Sequence, residues 1–385
     1  MLSITSKLPK VGTTIFTVMS ALAKEHQAIN LSQGFPDFPI SNDLIGDTYE
    51  AMRAGHNQYA PMPGLPELRQ AIAQKVNHLY KSSINPDTEV TITPGATYGI
   101  YTALTCFLNP GDEVIVLEPA YDSYIPNIEL NGGIAVCVPL KFPDYSVDWD
   151  AVKHAITPKT RSIIINSPHN PTGYVWTSED MKMLDELTRN TDIIIISDEV
   201  YEHITFDAMP HESILKYPSL FARSFVIYSF GKVFHTTGWK MGYCIAPEPF
   251  MQEFRKVHQF LSFSTNTPMQ VGLSRYLQNE QAYLSLPAFF EEKRNLFLDL
   301  IKDTPFTLHA PTKGSYFQLL GYDKISALPD KEFAIWLTRE IGVACIPVSA
   351  FNHDGKDDHL VRFCFAKQDE TLIAAAERLK KLTMK

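Results

Sequence analysis

Three runs in this chain, at 162–166 (SIIIN), 193–197 (IIIIS) and 224–229 (SFVIYS), are apolar at successive positions rather than at alternate ones. A strand with one wet face alternates polar and apolar residues. A strand apolar throughout needs cover on both faces, as in a parallel sheet held between two layers of helices. Further strands are predicted at 90–93, 113–118, 134–140 and 241–246, with helices at 97–108, 121–131 and 178–190. Ser178 is the expected N-cap of the last helix, with Glu179 and Asp180 in its first turn. The alternation predicts an α/β fold with a mostly parallel sheet. The short gap before 241–246 predicts a hairpin and so a mixed sheet.

Beyond residue 249 the pattern changes to a helical stretch at 281–303, strands near 315–320, 343–348 and 359–365, and helices near 330–341 and 370–383. The expected division is an N-terminal segment (1–45) packing on the small domain, a large domain (46–280) and a small α+β domain (281–385). The length of 385 residues suits two domains. With 34 basic against 43 acidic residues and a net charge of −9, the chain lacks the basic clusters that nucleic-acid binding needs. No run is apolar enough to span a membrane, and the N-terminus carries no secretion signal. The five cysteines show no CxxC spacing and the twelve histidines no HExxH. A reduced, cytoplasmic protein is therefore expected, and no metal is assigned.

Ligands of open α/β sheets sit beyond the carboxyl ends of the strands. There the chain places PGATYG after 90–93, SPHNPTG after 162–166, DEVY after 193–197 and FGKVFHTTGWK after 224–229. Asp198 directly follows IIIIS, a dry position that is costly for a carboxylate without a cation. Tyr201 can share its side of a helical turn. The alternatives are a capping Asp with a core Tyr, or a magnesium site, but the latter requires a GxxxxGK[ST] loop that the chain lacks. Lys232 lies between a buried strand and a glycine-bearing turn, where burial or a cationic neighbour such as Lys240 lowers an amine's pKa and makes it nucleophilic. Ser229 adds a hydroxyl nearby. Backbone N–H groups of Ala96 and Thr97 open a helix and so suit an anion. Arg362, in VRFCF, offers a guanidinium able to grip a carboxylate in two places, with a structural ion pair as the plainer reading. His169, in PHNP, suits neutral hydrogen bonding.

PGAT, NxxxNPTG, DEVY, SxGK and GWK, in this order, resemble the class I, fold-type I pyridoxal-phosphate aminotransferases. GFPDF, PHNPTG and VRFCFAK are most similar to the branch of methionine aminotransferases and kynurenine aminotransferase/glutamine transaminase K. The resemblance spans roughly residues 8–383. It implies a large domain with a mostly parallel seven-stranded sheet and a smaller α+β domain. It also implies pyridoxal 5′-phosphate as cofactor, with Lys232 joined to it as a Schiff base and acting as the proton carrier. Asp198 would then face the ring nitrogen, Tyr201 and Asn170 the phenolic oxygen, Tyr121 the ring face and Asn166 a supporting position. Ser229 and Lys240 would hold phosphate with Ala96 and Thr97, and Tyr59 would reach it from a second subunit of a homodimer. Many relatives carry GWR where this chain has GWK, exchanging a guanidinium fork for a point charge. Arg362 and the Gly34 backbone would hold the substrate carboxylate, with Phe16 in the substrate pocket.

The implied function is ping-pong transamination between an amino acid, with methionine, aromatic residues or kynurenine favoured, and a 2-oxo acid. A carbon–sulfur β-lyase using the same cofactor is the alternative. A non-catalytic cofactor-binding regulator is remote, because the chain has no DNA-binding domain. A nucleotide-dependent enzyme lacks its glycine-rich loop.

Overall fold

The computed structural model describes residues 4–384. The chain opens with a helix at Ile15–Glu25, capped by the Thr14 side chain, and then strand β1 (Ile29–Asn30). The next seven strands are β2 (Val90–Thr93), β3 (Glu113–Glu118), β4 (Ile134–Pro139), β5 (Thr160–Asn166), β6 (Ile194–Asp198), β7 (Ser224–Ser229) and β8 (Gly242–Ile245). They form one sheet in the order β2-β8-β7-β6-β5-β3-β4. The run β4-β3-β5-β6-β7 is parallel, whereas β8 is antiparallel to both β7 and β2. The mixed sheet is as expected, but β7 and β8 are joined through residues 230–241, with two short helical turns, rather than by a tight hairpin.

Cover on both faces is explicit in the core. Ile163 and Ile165 of β5 belong to one apolar cluster, with Met181 and Leu184 of the helix Ser178–Thr188. Ile164 between them belongs to the other, with Ile100 and Leu104 of the helix Ala96–Phe107 and Phe254 of the helix Glu248–Leu261. Strand periodicity of two therefore divides one apolar run between two cores.

The later strands are β9 (Phe317–Gly321), β10 (Val343–Ala344), β11 (Ile346–Pro347) and β12 (Leu360–Cys364). β11, β12 and β9 make a three-stranded antiparallel sheet, while β10 pairs in parallel with β1 and so ties the N-terminal segment to this part of the chain. The single strand expected at 343–348 is thus two, serving different sheets on either side of Cys345.

Other expectations shift in detail. The helix at 178 is capped by Thr177, not Ser178: Thr177 Oγ1 accepts from the Asp180 amide, and Asp180 Oδ2 accepts from the Thr177 amide. This reciprocal box satisfies two otherwise free N–H groups. The stretch 281–303 divides at Ser285 into Gln281–Leu284 and Leu286–Ile301. Helices at Asn42–Arg53, Pro66–Tyr80 and Thr267–Tyr276 had no counterpart in the sequence reading.

Candidate active site

The sheet's strand order reverses at β3 and β5, since β4 lies outside β3 and the chain then crosses back. A crevice opens at such a reversal beyond the strand ends. Here it is a cavity of about 450 Å³. Every residue assigned a cofactor or substrate role from the sequence lines it except Tyr59, which is 83% exposed and meets Phe263 edge-on at 5.5 Å.

Asp198 closes β6 and is buried. Its Oδ2 accepts from the Tyr124 hydroxyl at 2.6 Å and its Oδ1 from the Val200 amide at 3.3 Å. Asn166 Nδ2 donates to the Asp198 carbonyl, and Asn166 Oδ1 accepts from the Asn170 amide, so the ends of β5 and β6 are locked together. Both partners of the carboxylate are neutral, and burial pushes its pKa up to about 6. An anion so held favours a cation arriving in the cavity.

Lys232 projects from the first turn after β7, and its Nζ donates to the Gly34 carbonyl at 3.0 Å. The side chain is only part-buried because it borders the cavity, but its amine is enclosed, and burial lowers its pKa to about 8. The buried Tyr201 and Tyr316 rings flank it with centroids 5.7 and 5.9 Å from Nζ. Tyr316 donates to the same Gly34 carbonyl at 2.7 Å. The Gly34 carbonyl is therefore turned toward Lys232. A Cβ on Gly34 would lie 2.7 Å from the Phe317 ring, so the close approach requires glycine.

Arg362 is 1% exposed in the middle of β12. Nη1 donates to Asn170 Oδ1 at 2.6 Å and Nη2 to the Ser32 carbonyl at 3.0 Å, while Nε has no partner among the described residues. Both acceptors are neutral. Aromatic faces sandwich the guanidinium: Phe317 at 3.8 Å, Phe351 at 4.9 Å and Phe16 at 5.4 Å. Burial lowers its pKa to about 10, which leaves it charged at neutral pH. A buried cation with neutral partners and a free donor suits an incoming carboxylate.

The opposite end suits a phosphate. Gly95, with φ of +84°, caps the helix Ala96–Phe107 and contributes no side chain, so the amides of Ala96 and Thr97 border the cavity. Ser229 and Lys240 are also in the lining. Lys240 Nζ would lie 3.5 Å from a Cβ added at Gly95. Tyr121 lines the wall and meets Tyr124 edge-on at 5.7 Å.

The cavity includes residues the sequence reading missed, among them Gln33, Phe35, Asp122, Tyr124 and Phe317. Tyr124 was detectable in principle: it follows Tyr121 by three, the same helical spacing that joined Tyr201 to Asp198. Asp122 shares the cavity with Arg362, and burial raises its pKa. His169 is buried, its pKa lowered by burial to about 3, and it contacts Thr172 Oγ1 at 2.8 Å, a neutral hydrogen-bonding group as expected.

A nucleophilic amine, a buried carboxylate awaiting a cation, an amide-lined helix start and a free guanidinium fit pyridoxal phosphate with an amino-acid substrate. Comparison with known proteins agrees. The family model for aminotransferase class I and II matches residues 26–379. The methionine aminotransferase of Escherichia coli (strain K12) is 48% identical over 98% of both chains. Kynurenine–oxoglutarate transaminase 1 of Rattus norvegicus is 32% identical over 97% of both. The Escherichia coli structure reported with a methionine aminotransferase function superposes with a TM-score of 0.97 at 48% identity, covering 99% of this chain and 100% of the other. An N-succinyldiaminopimelate aminotransferase from Mycobacterium tuberculosis follows with a TM-score of 0.95 at 36% identity, over 99% and 100%. The chain belongs to the class I and II aminotransferase family and is a pyridoxal-phosphate-dependent aminotransferase.

Proposed function

We propose that the preferred amino donor has an uncharged, apolar or aromatic side chain, with methionine foremost and aromatic residues and kynurenine accepted. The observation that carries this reading is the composition of the cavity around Arg362. Phe16, Phe35, Tyr121 and Phe317 supply apolar walls, and no second arginine is among the lining residues to receive a side-chain carboxylate. Asp122 disfavours acidic side chains further. The methionine specificity named for the Escherichia coli relative supports the same choice.

The bound cofactor supplies an electrophilic carbon and a cationic ring that draws electrons from the substrate. Arg362, with Gly34 beside it, holds the substrate carboxylate and fixes which face of Cα meets Lys232. The Lys232 amine, poised near neutral pH, would take the proton from the substrate Cα and carry it to the bound cofactor. With the cofactor bound, Asp198 would keep the ring nitrogen protonated. Tyr201 and Asn170 would hold the phenolic oxygen and Tyr121 would cover the ring, while Asn166 fixes Asn170. The Ala96 and Thr97 amides, Ser229 and Lys240 would hold phosphate.

We infer further that the enzyme is a cytoplasmic homodimer in which Tyr59 of one copy reaches the phosphate of the other. The exposed patch of Tyr59, Phe260 and Phe263 supports this, since a lone chain would leave it wet. No helix of the described residues is long and apolar enough to cross a membrane. We propose the same division as the sequence pattern, 1–45, 46–280 and 281–385, which the presence of a separate sheet in the last of these segments supports.

The test is the visible spectrum of holoenzyme mixed with single amino acids. Methionine, phenylalanine and kynurenine should bleach the cofactor band faster than aspartate or glutamate, and a 2-oxo acid should restore it. Faster bleaching by aspartate or glutamate would overturn the proposed selectivity. Release of ammonia and pyruvate from a cysteine conjugate, without recovery of pyridoxamine phosphate, would indicate β-elimination instead.

A further inference from the structure

Away from the cofactor cavity, three side chains of different chemistry converge. Glu118 ends β3 and Cys137 lies in β4, where the register pairs Val116 with Cys137 and Glu118 with Pro139. Glu118 and Cys137 therefore project from the same face of the sheet. His353 arrives from the loop after the 3₁₀ turn Val348–Phe351. Its amide donates to Glu118 Oε1 at 2.8 Å, and its Nδ1 lies 2.7 Å from Glu118 Oε2. A carboxylate oxygen, a thiol sulfur and an imidazole nitrogen from these three residues all lie within 4.8 Å of one another. Glu118 is buried, Cys137 half-buried, and the His353 side chain 53% exposed.

We propose that Glu118, Cys137 and His353 form a binding site for one divalent transition-metal ion of the zinc class. The donor set selects the metal: sulfur and imidazole favour zinc, cobalt or nickel over magnesium and calcium, which prefer oxygen. Ligand atoms of a tetrahedral zinc site, with bonds of about 2.0–2.3 Å, stand roughly 3.3–3.7 Å apart, so closure needs side-chain movements of about an ångström. The exposed His353 ring can make them, and its solvent side leaves a fourth position for water. Coordination replaces the Glu118–His353 hydrogen bond with two metal–ligand bonds, leaves the neutral imidazole's one proton on Nε2, and sends the Cys137 thiol proton to buffer. Because the thiol must give up its proton to bind, binding should strengthen as pH rises.

The position gives the site a link to substrate binding. Glu118 lies three residues before Tyr121, and the Ala120 amide donates to the Phe351 carbonyl at 2.8 Å. Phe351 in turn packs against Arg362. A sequence scan for ligand spacing cannot detect donors at 118, 137 and 353, because only the β3–β4 pairing and the returning loop bring them together.

Chelator-washed, untagged holoenzyme titrated with Co²⁺ tests the assignment. One Co²⁺ per chain should produce a ligand-field band at wavelengths longer than the cofactor's, and Zn²⁺ should displace it. Cys137→Ser and His353→Gln should each weaken binding by about a hundredfold. Retained cofactor absorbance verifies that each variant is folded, and His353 is exposed enough for its substitution to be tolerated. Binding that survives either substitution, or the absence of saturable binding, overturns the proposal.

Discussion

Tyr124→Phe removes one hydroxyl and leaves the ring in its packing against Tyr121. The lost interaction is a phenol donating to the Asp198 carboxylate at 2.6 Å, a class worth roughly 1.5–3 kcal/mol. At about 1.4 kcal/mol per pKa unit, Asp198 should climb from about 6 to about 7 or above in cofactor-stripped protein. Above about pH 8 the carboxylate is ionised before the cofactor binds in wild type and variant alike, so the hydroxyl's contribution is present on both sides of the equilibrium and largely cancels. Near pH 5.5 much of Asp198 is protonated before binding, and the bound state alone contains the anion that the hydroxyl stabilises. The ratio of dissociation constants, variant over wild type, should therefore be roughly tenfold at about pH 5.5 and under twofold at about pH 8.5. Fluorescence titration of stripped protein with pyridoxal phosphate across this range measures it. A ratio independent of pH, or no penalty at pH 5.5, would refute the coupling. On an Asp198→Asn background the pH-dependent penalty should vanish, because nothing remains to titrate.

Three further outcomes are expected. Burial holds the Lys232 amine near 8 rather than 10.5; a lowered lysine pKa destabilises the folded state below about pH 8, by up to about 3 kcal/mol, and the cost fades as pH rises toward 10.5. Lys232→Met should thus abolish transamination yet raise the thermal midpoint of stripped protein at pH 7, and a falling midpoint would refute this account. Arg362→Lys keeps the charge but loses the fork, so kcat/KM for methionine should fall by about 10- to 150-fold, the equivalent of roughly 1.5–3 kcal/mol; an unchanged value in steady-state assays would remove Arg362 from carboxylate binding. Lys75 and Glu202 form a buried ion pair, with the Tyr80 hydroxyl donating to Glu202 at 2.6 Å. Lys75→Met should cost about 3–5 kcal/mol in urea unfolding by stranding a carboxylate, and adding Glu202→Gln should recover part of that loss.

Much of the site was legible because its residues follow the strands directly. The apolar runs ending at Asn166, Asp198 and Ser229 mark strands buried on both faces, and a polar residue at the end of such a run has to stand at the crevice. Local order therefore located Asp198, Lys232 and the start of the helix at Ala96, whereas Asn170 came from the family resemblance. Helices such as Asn42–Arg53 and Pro66–Tyr80 escaped because their packing faces are set by partners far along the chain. The split of 343–348 escaped because its two halves pair with strands more than three hundred residues and about fifteen residues away, respectively. Tertiary structure alone decided the rest. It set Tyr124 against Asp198, gave Arg362 neutral partners and a free Nε, left Tyr59 on the outer surface, and gathered Glu118, Cys137 and His353. The reason is physical: a residue type and its neighbours in sequence establish what a group can do, whereas its pKa, its partner and its access to a ligand depend on desolvation and distance, which exist only once the chain has folded.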